Sequence, residues 1–341
     1  MSTSAPSRPP VSHAASPAAS AAPRPPTLAR DLGRAPRPGA GAAVTIGNFD
    51  GVHRGHQAML EVVGQAARQR GLLPVALTFS PSPAEFFARA AGKAPVARLQ
   101  RLRDKLVCIW TVGIAHIQLL RFNAAMAAMS PDAFCDRVLR DGLNAKWVIV
   151  GDDFRYGKGR AGDVKTLHAW CVANGIECYV MPAVKAMDVR FSSSLVREAL
   201  ATGDVVTAAA VLGRPYRISG KVAHGEKLGR TLGTPTINLP LWSPAPLSGI
   251  YAVRVYGVDV AGGQPVFGAA SVGVRPSVKS NGKPVLEVFL LDFQGELYGR
   301  RVVVEFVQHI RAEEKFATLD ALKVQMQTDI AAVRRVFAAN R

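Results

Sequence analysis

The chain has 341 residues, enough for two domains of ordinary size, and 48% of them are hydrophobic, so most of it should be packed structure. Its 42 basic and 25 acidic residues leave a formal net charge of +17, which suits anionic partners such as nucleotide phosphates or nucleic acid. No apolar run approaches the roughly eighteen residues of a membrane span, and zinc-finger spacing, an RNP-like strand and a compact basic run with interleaved aromatics are all lacking.

Those absences turn the reading from nucleic acid and membrane toward an enzyme of phosphorylated substrates. The four cysteines, Cys108, Cys135, Cys171 and Cys178, form no C-x-x-C pair and sit in apolar or helix-like contexts. They predict unpaired thiols in a reducing, cytoplasmic compartment, with neither a metal site nor a disulfide.

Residues 1–40 are rich in Pro, Ala, Ser and Arg and poor in large apolar side chains. Such a segment cannot bury enough surface to offset its ordering entropy, so a disordered tail is expected. It lacks the apolar core of a secretory signal, and its prolines oppose the amphipathic helix of a transit peptide.

From residue 44 to about 200 the pattern alternates between strand and helix. VTIGNF reads as a strand, and residues 57–70 as a helix closed by Gly71. LLPVALTF is the next strand, followed by an SPSP turn at residues 80–83. A helix is expected over 99–112, with Gly113 as its stop, and another over 131–143 behind the N-cap Ser130. IAHIQLL, KWVIVG and ECYVMPAV complete the strands. Alternation of this kind implies a parallel sheet covered by helices on both faces, with ligands at the carboxyl ends of its strands.

Three stretches fall at that edge. The first, VTIGNFDGVHRGHQAML over residues 44–60, runs from a strand through a glycine turn into a helix, where exposed backbone N–H groups and the helix dipole favour a polyphosphate. His53 and His56 flank Arg54 and Gly55, and Gly55 puts no side chain between the two imidazoles. Both can face a phosphate and donate hydrogen bonds where charge builds up during attack on phosphorus. The second is GDDFRYGKGRAGD over 151–163, which taken alone also reads as a flexible surface loop. The third is FSSSLVR over 191–197, where hydroxyls and Arg197 at a helix start can hold a leaving pyrophosphate; a serine-rich N-cap is the plainer reading.

Residues 198–214 read as helix, turn and helix, linking two domains. Beyond them short strands dominate: YRISGKVAHG, GIYAVRVYGV, VFGAASVGV, VLEVFLLDF and RVVVEFV, the spacing of a compact antiparallel barrel. A final helix over 318–337 carries Leu319, Leu322, Met326, Ile330, Val333 and Phe337 on one face, suited to packing on the barrel. Within the barrel region lies HGEKLGRTLGTPTINLP, residues 224–240. Its glycines allow close approach to phosphates, and Thr236 and Asn238 supply hard oxygen ligands of the kind Mg2+ takes. The spacing is not that of a P-loop, and a glycine-rich hairpin would also account for it.

GNFDGVHRGHQ resembles the signature of the nucleotidylyltransferase superfamily, in the form found in bacterial bifunctional riboflavin kinase/FAD synthetases. GDDFRYG resembles that family's GDDFRFG, with Tyr156 in place of phenylalanine, and FSSSLVR its S-S-T-x-x-R, with Ser194 in place of threonine. The run from Gly220 to Asn238 resembles the riboflavin kinase signature, and SGIYAV, SVGVRPSV and LEVFLLDFQGELYG follow in the family's order.

The resemblance implies a Rossmann-like nucleotidylyltransferase domain over 41–200, a linker helix over 201–214 and a riboflavin kinase barrel with its C-terminal helix over 215–341. It implies phosphorylation of riboflavin by Mg-ATP to FMN, then adenylylation of FMN by a second ATP to FAD and pyrophosphate. His53, His56 and Arg197 would stabilise the adenylyl transfer, and Glu287 would be the general base of the kinase.

Gly47, Asn48, Phe49, Asp50, Gly51, Asp152, Asp153, Phe154, Arg155, Ser192 and Ser193 would bind nucleotide and flavin in the first site. Gly225, Gly229, Arg230, Gly233, Thr234, Pro235 and Arg275 would do so in the second, with Thr236 and Asn238 on magnesium. Two departures stand out. Ser80 and Ser82 occupy positions where relatives often carry a histidine or an acid, and Phe289 replaces a histidine two residues from Glu287. The alternatives left open are a monofunctional nucleotidylyltransferase with a flavin-sensing barrel and a nucleic-acid binder; no nucleic acid or membrane partner is expected, and oligomeric state is not legible.

Overall fold

The computed structural model describes residues 26–32, 41–186, 189–224, 236–241, 243–258, 263–274 and 284–339. The first strand, β1 (Thr27–Ala29), lies inside the segment expected to be a disordered tail. It pairs in parallel with His116–Gln118, and the Thr27 hydroxyl lies 2.7 Å from His116 Nδ1. The neighbouring sheet edge satisfies its backbone groups, an opportunity that composition cannot register.

β2 (Ala42–Ile46) is wholly buried and leads through a glycine turn into α1 (Arg54–Arg70). That helix begins three residues earlier than its expected start at Gln57, because His53 serves as its N-cap; it ends at Gly71 in the left-handed conformation (φ 66°). β3 (Leu73–Phe79) is followed by α2 (Pro83–Ala90), a helix not foreseen behind the SPSP turn. Its capping box uses the Ser82 hydroxyl on the Glu85 N–H and the Glu85 carboxylate on the Ser82 N–H, so Ser82 is committed to the helix end.

Next come α3 (Leu102–Thr111), β4 (His116–Leu120), the short α4 (Ala124–Ala127) and α5 (Pro131–Phe134), which runs into a π-helical turn over Cys135–Arg140. β5 (Ala145–Gly151), α6 (Val164–Ala173) and β6 (Glu177–Met181) complete the domain's alternation. The sheet order is β1-β4-β3-β2-β5-β6, and every pairing is parallel. From β2 the chain winds first to β3 and β4 on one side, then crosses to β5 and β6 on the other. The ends of β2 and β5 therefore flank the topological switch point, where a ligand crevice opens in such sheets.

A two-stranded flap, β7 (Lys185–Ala186) and β8 (Val189–Arg190), precedes α7 (Ser193–Ala201) and α8 (Val205–Leu212). The barrel then forms from β9 (Arg217–Lys221), β10 (Thr236–Pro240), β11 (Gly249–Tyr256), β12 (Val266–Val274), β13 (Pro284–Leu290) and β14 (Arg301–Arg311). Their order is β10-β13-β12-β11-β14-β9, all antiparallel, and a bridge from Ala223 to Asn238 brings the two edges together. β10 is the strand the sequence concealed inside its glycine-rich motif.

α9 (Leu319–Ala338) packs on the barrel through Ile330, Val333 and Phe337, whereas Leu319 on the same face is 66% exposed. The expected apolar face thus runs from exposed Leu319 through half-buried Leu322, Met326 and Ile330 to buried Val333 and Phe337. The Arg311–Asp329 pair, two bonds of 2.8 Å, ties the helix to β14.

The α7–α8 pair shares one hydrophobic core with the barrel: Leu200, Val205 and Leu212 join Tyr216, Tyr251 and Phe306. Helix α3 adds polar contacts, from Arg101 Nη2 to the Pro240 carbonyl (2.7 Å) and from the Ser219 hydroxyl to Asp104 (2.8 Å). Two helices at the end of the α/β unit thus belong to the barrel's core as well.

Candidate active sites

At the switch point of the sheet lies a cleft of about 740 Å³, within the range of small-molecule sites. The turn after β2 lines it with Gly47, Asn48 and Phe49, and the start of α1 with His53, Gly55 and His56. The loop after β5 adds Asp152, Asp153, Phe154 and Arg155, and Ser192 and Ser193 close the wall at the head of α7. Three stretches far apart in sequence meet there as expected.

His53 and His56 stack at 3.7 Å between ring centroids. His53 Nδ1 accepts the His56 backbone N–H at 3.4 Å, so this nitrogen carries no proton in the neutral ring and Nε2 is left as donor. A Cβ on Gly55 would lie 3.2 Å from two atoms of the His53 ring, which gives the glycine between the histidines its reason. Burial, aided by the positive charges of Arg190 and Arg214, lowers His53 to about 4. Burial also holds His56 well below the ordinary histidine value, with His53 and Lys105 adding to it. Both rings are therefore neutral donors at pH 7 in the free protein. His56 Nδ1 is buried and makes no hydrogen bond among the described residues.

The turn that carries them is unusual in its backbone. Phe49 (φ 49°) and Val52 (φ 41°) occupy the left-handed region that non-glycine residues avoid, with Gly51 (φ 83°) between them. Lys105, a residue the motif reading missed, supports it from behind. Its Nζ donates to the Asn48 carbonyl (3.0 Å) and to Thr78 Oγ1 (3.1 Å), and burial pushes it down to about 8. A lysine within a helix pattern gave no signal of this role, because only the fold brings α3 beneath the turn.

Other expected residues are placed differently. Arg197 is ion-paired with Asp50 and donates to the Ala97 carbonyl at 2.8 Å; neither Arg197, Asp50 nor Gly51 lines the cleft. Burial raises the Asp50 carboxyl despite the arginine beside it. Ser192 caps α7 through the Leu195 N–H (3.1 Å), and the Ser193 hydroxyl donates to the Asp50 carbonyl (2.8 Å). Arg190 of the flap does line the cleft, alongside Arg155 and Arg160, and it holds Asp152 at 3.2 Å and Asp153 at 2.9 Å. Tyr156 stacks on Phe154 and accepts a hydrogen bond from the Cys135 thiol (3.5 Å), so its extra hydroxyl has a partner. All four cysteines are free thiols.

The second constellation lies on the barrel. Register places Asn238 of β10 directly opposite Glu287 of β13 and Thr236 opposite Phe289, with Ser271 of β12 on the other side of Glu287. Leu239, Leu286 and Val288 point into the barrel core, so Thr236, Asn238, Glu287 and Phe289 share the opposite face. Phe289 there packs into the cluster under α9. Gly225, Gly229, Arg230, Gly233, Thr234, Pro235 and Arg275 lie outside the described residues. The oxygens of Thr236 and Asn238 beside a carboxylate form a hard donor set that fits Mg2+. Among the described residues no cluster of three His, Cys, Asp or Glu side chains could hold a metal ion.

A doubly wound sheet with a histidine-bearing cleft at its switch point, joined to a small antiparallel barrel, defines a nucleotide-using enzyme of two domains. Family models agree with that division: FAD synthetase matches residues 36–195 and riboflavin kinase residues 212–337. The chain is 43% identical over 299 residues to the bifunctional riboflavin kinase/FMN adenylyltransferase of Pseudomonas fluorescens, covering 87% of this chain and 94% of that one. The protein of the same description from Escherichia coli K12 is 41% identical, covering 91% and 97%, and that of Bacillus subtilis 35%, covering 87% and 93%. A solved structure described as a macrolide-efflux protein from Streptococcus pneumoniae superposes with a TM-score of 0.72 at 28% identity, covering 90% of this chain and 98% of that one. Among the described residues no helix is long and apolar enough to cross a membrane. The chain belongs to the bifunctional riboflavin kinase/FMN adenylyltransferase family. It is an enzyme that uses ATP to convert riboflavin to FMN and FMN to FAD.

Proposed function

We propose that the two activities are divided along the chain, with adenylyl transfer in residues 41–200, riboflavin phosphorylation in 215–341, and 201–214 joining them. The observation that carries the first assignment is the stacked pair His53 and His56, held as neutral donors at the mouth of a glycine turn facing the 740 Å³ cleft. Adenylyl transfer needs no protein nucleophile, since the phosphate of FMN attacks the α-phosphorus of ATP. The protein's part is to position the two substrates and to offset developing charge.

His53 Nε2–H and the His56 ring donate to phosphate oxygens. The backbone of Gly47 and Asn48 receives the nucleotide, and Asp152, Asp153, Phe154 and Arg155 shape the far wall. Ser192 and Ser193 frame the pyrophosphate side at the start of α7. Arg197, tied to Asp50, acts by holding the turn, and Arg190 brings positive charge to the cleft beside Arg155 and Arg160. The aromatic wall of Phe79, Phe87 and Phe122 gives the flavin ring an apolar surface.

In the barrel, Glu287 takes the proton of the riboflavin 5′-hydroxyl as that oxygen attacks the γ-phosphate of ATP. Thr236 and Asn238 would hold Mg2+, which when bound would neutralise charge on the transferring phosphoryl group. We place the enzyme in the cytoplasm, a setting that the free thiols support.

The test is incubation with riboflavin, ATP and magnesium, followed by chromatography. The unaltered chain should form FMN first and FAD later. His56→Ala should form FMN normally and lose FAD by about two to three orders of magnitude. Glu287→Gln should fail on riboflavin yet still convert added FMN to FAD. Normal FAD synthesis by His56→Ala would contradict the first assignment, and normal FMN synthesis by Glu287→Gln the second.

A further inference from the structure

The turn from Phe49 to Val52 combines two non-glycine residues in the left-handed region with a fully buried, β-branched side chain at Val52. Such a backbone persists only where its surroundings over-determine it. Its own hydrogen bond is weak, Val52 N–H to the Phe49 carbonyl at 3.4 Å. Nearer groups hold part of it, the Leu99 N–H on the Asp50 carboxylate (3.1 Å) and Gln57 on Val52, and the rest comes from more than 140 residues later in the chain. Ser193 and Arg197 grip Asp50, and Arg214 grips the next two residues: Nη2 donates to the Gly51 carbonyl at 2.6 Å and Nη1 to the Val52 carbonyl at 3.1 Å.

Arg214 Nη1 also donates to the Leu212 carbonyl (3.1 Å). Gln57 Nε2 repeats the pattern on Val52 (2.7 Å) and Leu212 (2.8 Å). Gly213 allows this closeness, because a Cβ there would lie 3.2 Å from the side chains of Arg54 and Gln57. Among the described residues Arg214 makes no ion pair with a carboxylate. Its planar fork is spent entirely on backbone carbonyls, a geometry that a lysine cannot reproduce.

We propose that Arg214, in the segment that leaves α8 for the barrel, is a positioning residue of adenylyl transfer: it clamps the Gly51 and Val52 carbonyls and so holds the strained turn that aims His53 and His56. The proposal rests on the reading of this turn as the adenylyl-transfer site. The residue does not line the cleft. It acts on the backbone immediately before His53, and its charge adds to that of Arg190 in keeping the His53 ring neutral. Two residues on, Tyr216 is buried in the barrel core and its carbonyl accepts the Phe306 N–H at 3.0 Å. The clamp is thereby anchored in the second domain while it serves the first.

The experiment compares Arg214→Ala and Arg214→Lys in the full chain, with His56→Ala in parallel. FAD formation from FMN and ATP, and FMN formation from riboflavin and ATP, are measured separately. Arg214→Ala should lower kcat of adenylyl transfer about 10- to 100-fold, the scale of a reacting group moved by an ångström, with little change in KM for either substrate. Riboflavin phosphorylation should stay within about twofold, and methylguanidinium should restore part of the lost FAD rate, since the lost group is a guanidinium.

Arg214→Lys, which keeps the charge and loses the fork, should fall between. FAD formation unchanged in Arg214→Ala, or full activity in Arg214→Lys, would overturn the proposal. So would both activities falling together with no rescue, the mark of a purely structural residue. Should Arg214→Ala not fold, Arg214→Lys decides alone. Retained FAD synthesis in His56→Ala would instead overturn the assignment of the site, independently of the clamp.

Discussion

The glycine between the two histidines offers a direct test of how tightly the His53 ring must be held. Gly55 is the second residue of α1 and has no positive φ, so Gly55→Ala carries no φ penalty. Its new methyl would stand 3.2 Å from Cε1 and Nδ1 of His53, and the ring must give by a few tenths of an ångström. It has little room to do so, being 7% exposed and stacked on His56 at 3.7 Å, with Nδ1 already 3.4 Å from the His56 N–H. Misplacement of a donor on that scale should cost adenylyl transfer about 10-fold or more, roughly 1.4 kcal/mol of barrier. The assay is FAD formation from FMN and ATP, with riboflavin phosphorylation as the internal control and denaturant unfolding as the check on the fold. Slower FAD synthesis in a protein that still folds and phosphorylates riboflavin normally is the expected result. FAD synthesis within twofold of the parent would refute the reasoning, because the tight contact would then not govern the ring.

Two further predictions concern stability. His53 is held near 4 mainly by burial, against about 6.5 when unfolded, so below pH 6.5 the unfolded chain takes up a proton that the folded chain refuses. Stability from this group is present above pH 6.5 and is lost as the pH falls toward 4, by about 2 kcal/mol at pH 5. Urea unfolding of the parent and His53→Gln at pH 7.5 and 5.0 reads it as a gap between the two proteins that changes by that amount; a constant gap would count against it. Separately, Asp329→Ala leaves the half-buried Arg311 without its carboxylate and should destabilise the barrel by about 1.5–3 kcal/mol. Hydrogen exchange in α9 and β14 should quicken, and the paired change Arg311→Met with Asp329→Leu should recover much of the loss.

Much of the architecture was legible because its signals are local. Strand alternation, glycine stops and the N-cap serines depend on a few neighbouring residues, and they placed β2, β3, β4, β5 and β6 within a few positions. The failures have two causes. β1 looks like part of a tail until the β4 edge accepts it, and β10 lies within a motif read as a glycine-rich loop or hairpin until β13 pairs with it; for these the decisive partner is distant in sequence. α2 is hidden by prolines that in fact start it, with a local capping box between Ser82 and Glu85.

The candidate site divides in the same way. The sequence by itself determined that two imidazoles flank a glycine at a helix start, that a glycine- and acid-rich loop follows a buried strand, and that a carboxylate on a barrel strand accompanies a threonine and an asparagine. These are statements about neighbours along the chain. Only the tertiary structure decided that Arg197 turns to Asp50 while Arg190 lines the cleft, and that Lys105 lies beneath the turn. It alone set Arg214 of the interdomain segment against Gly51 and Val52. Burial and long-range hydrogen bonds settle which charges face a ligand and which hold the backbone, and neither is encoded at any single position.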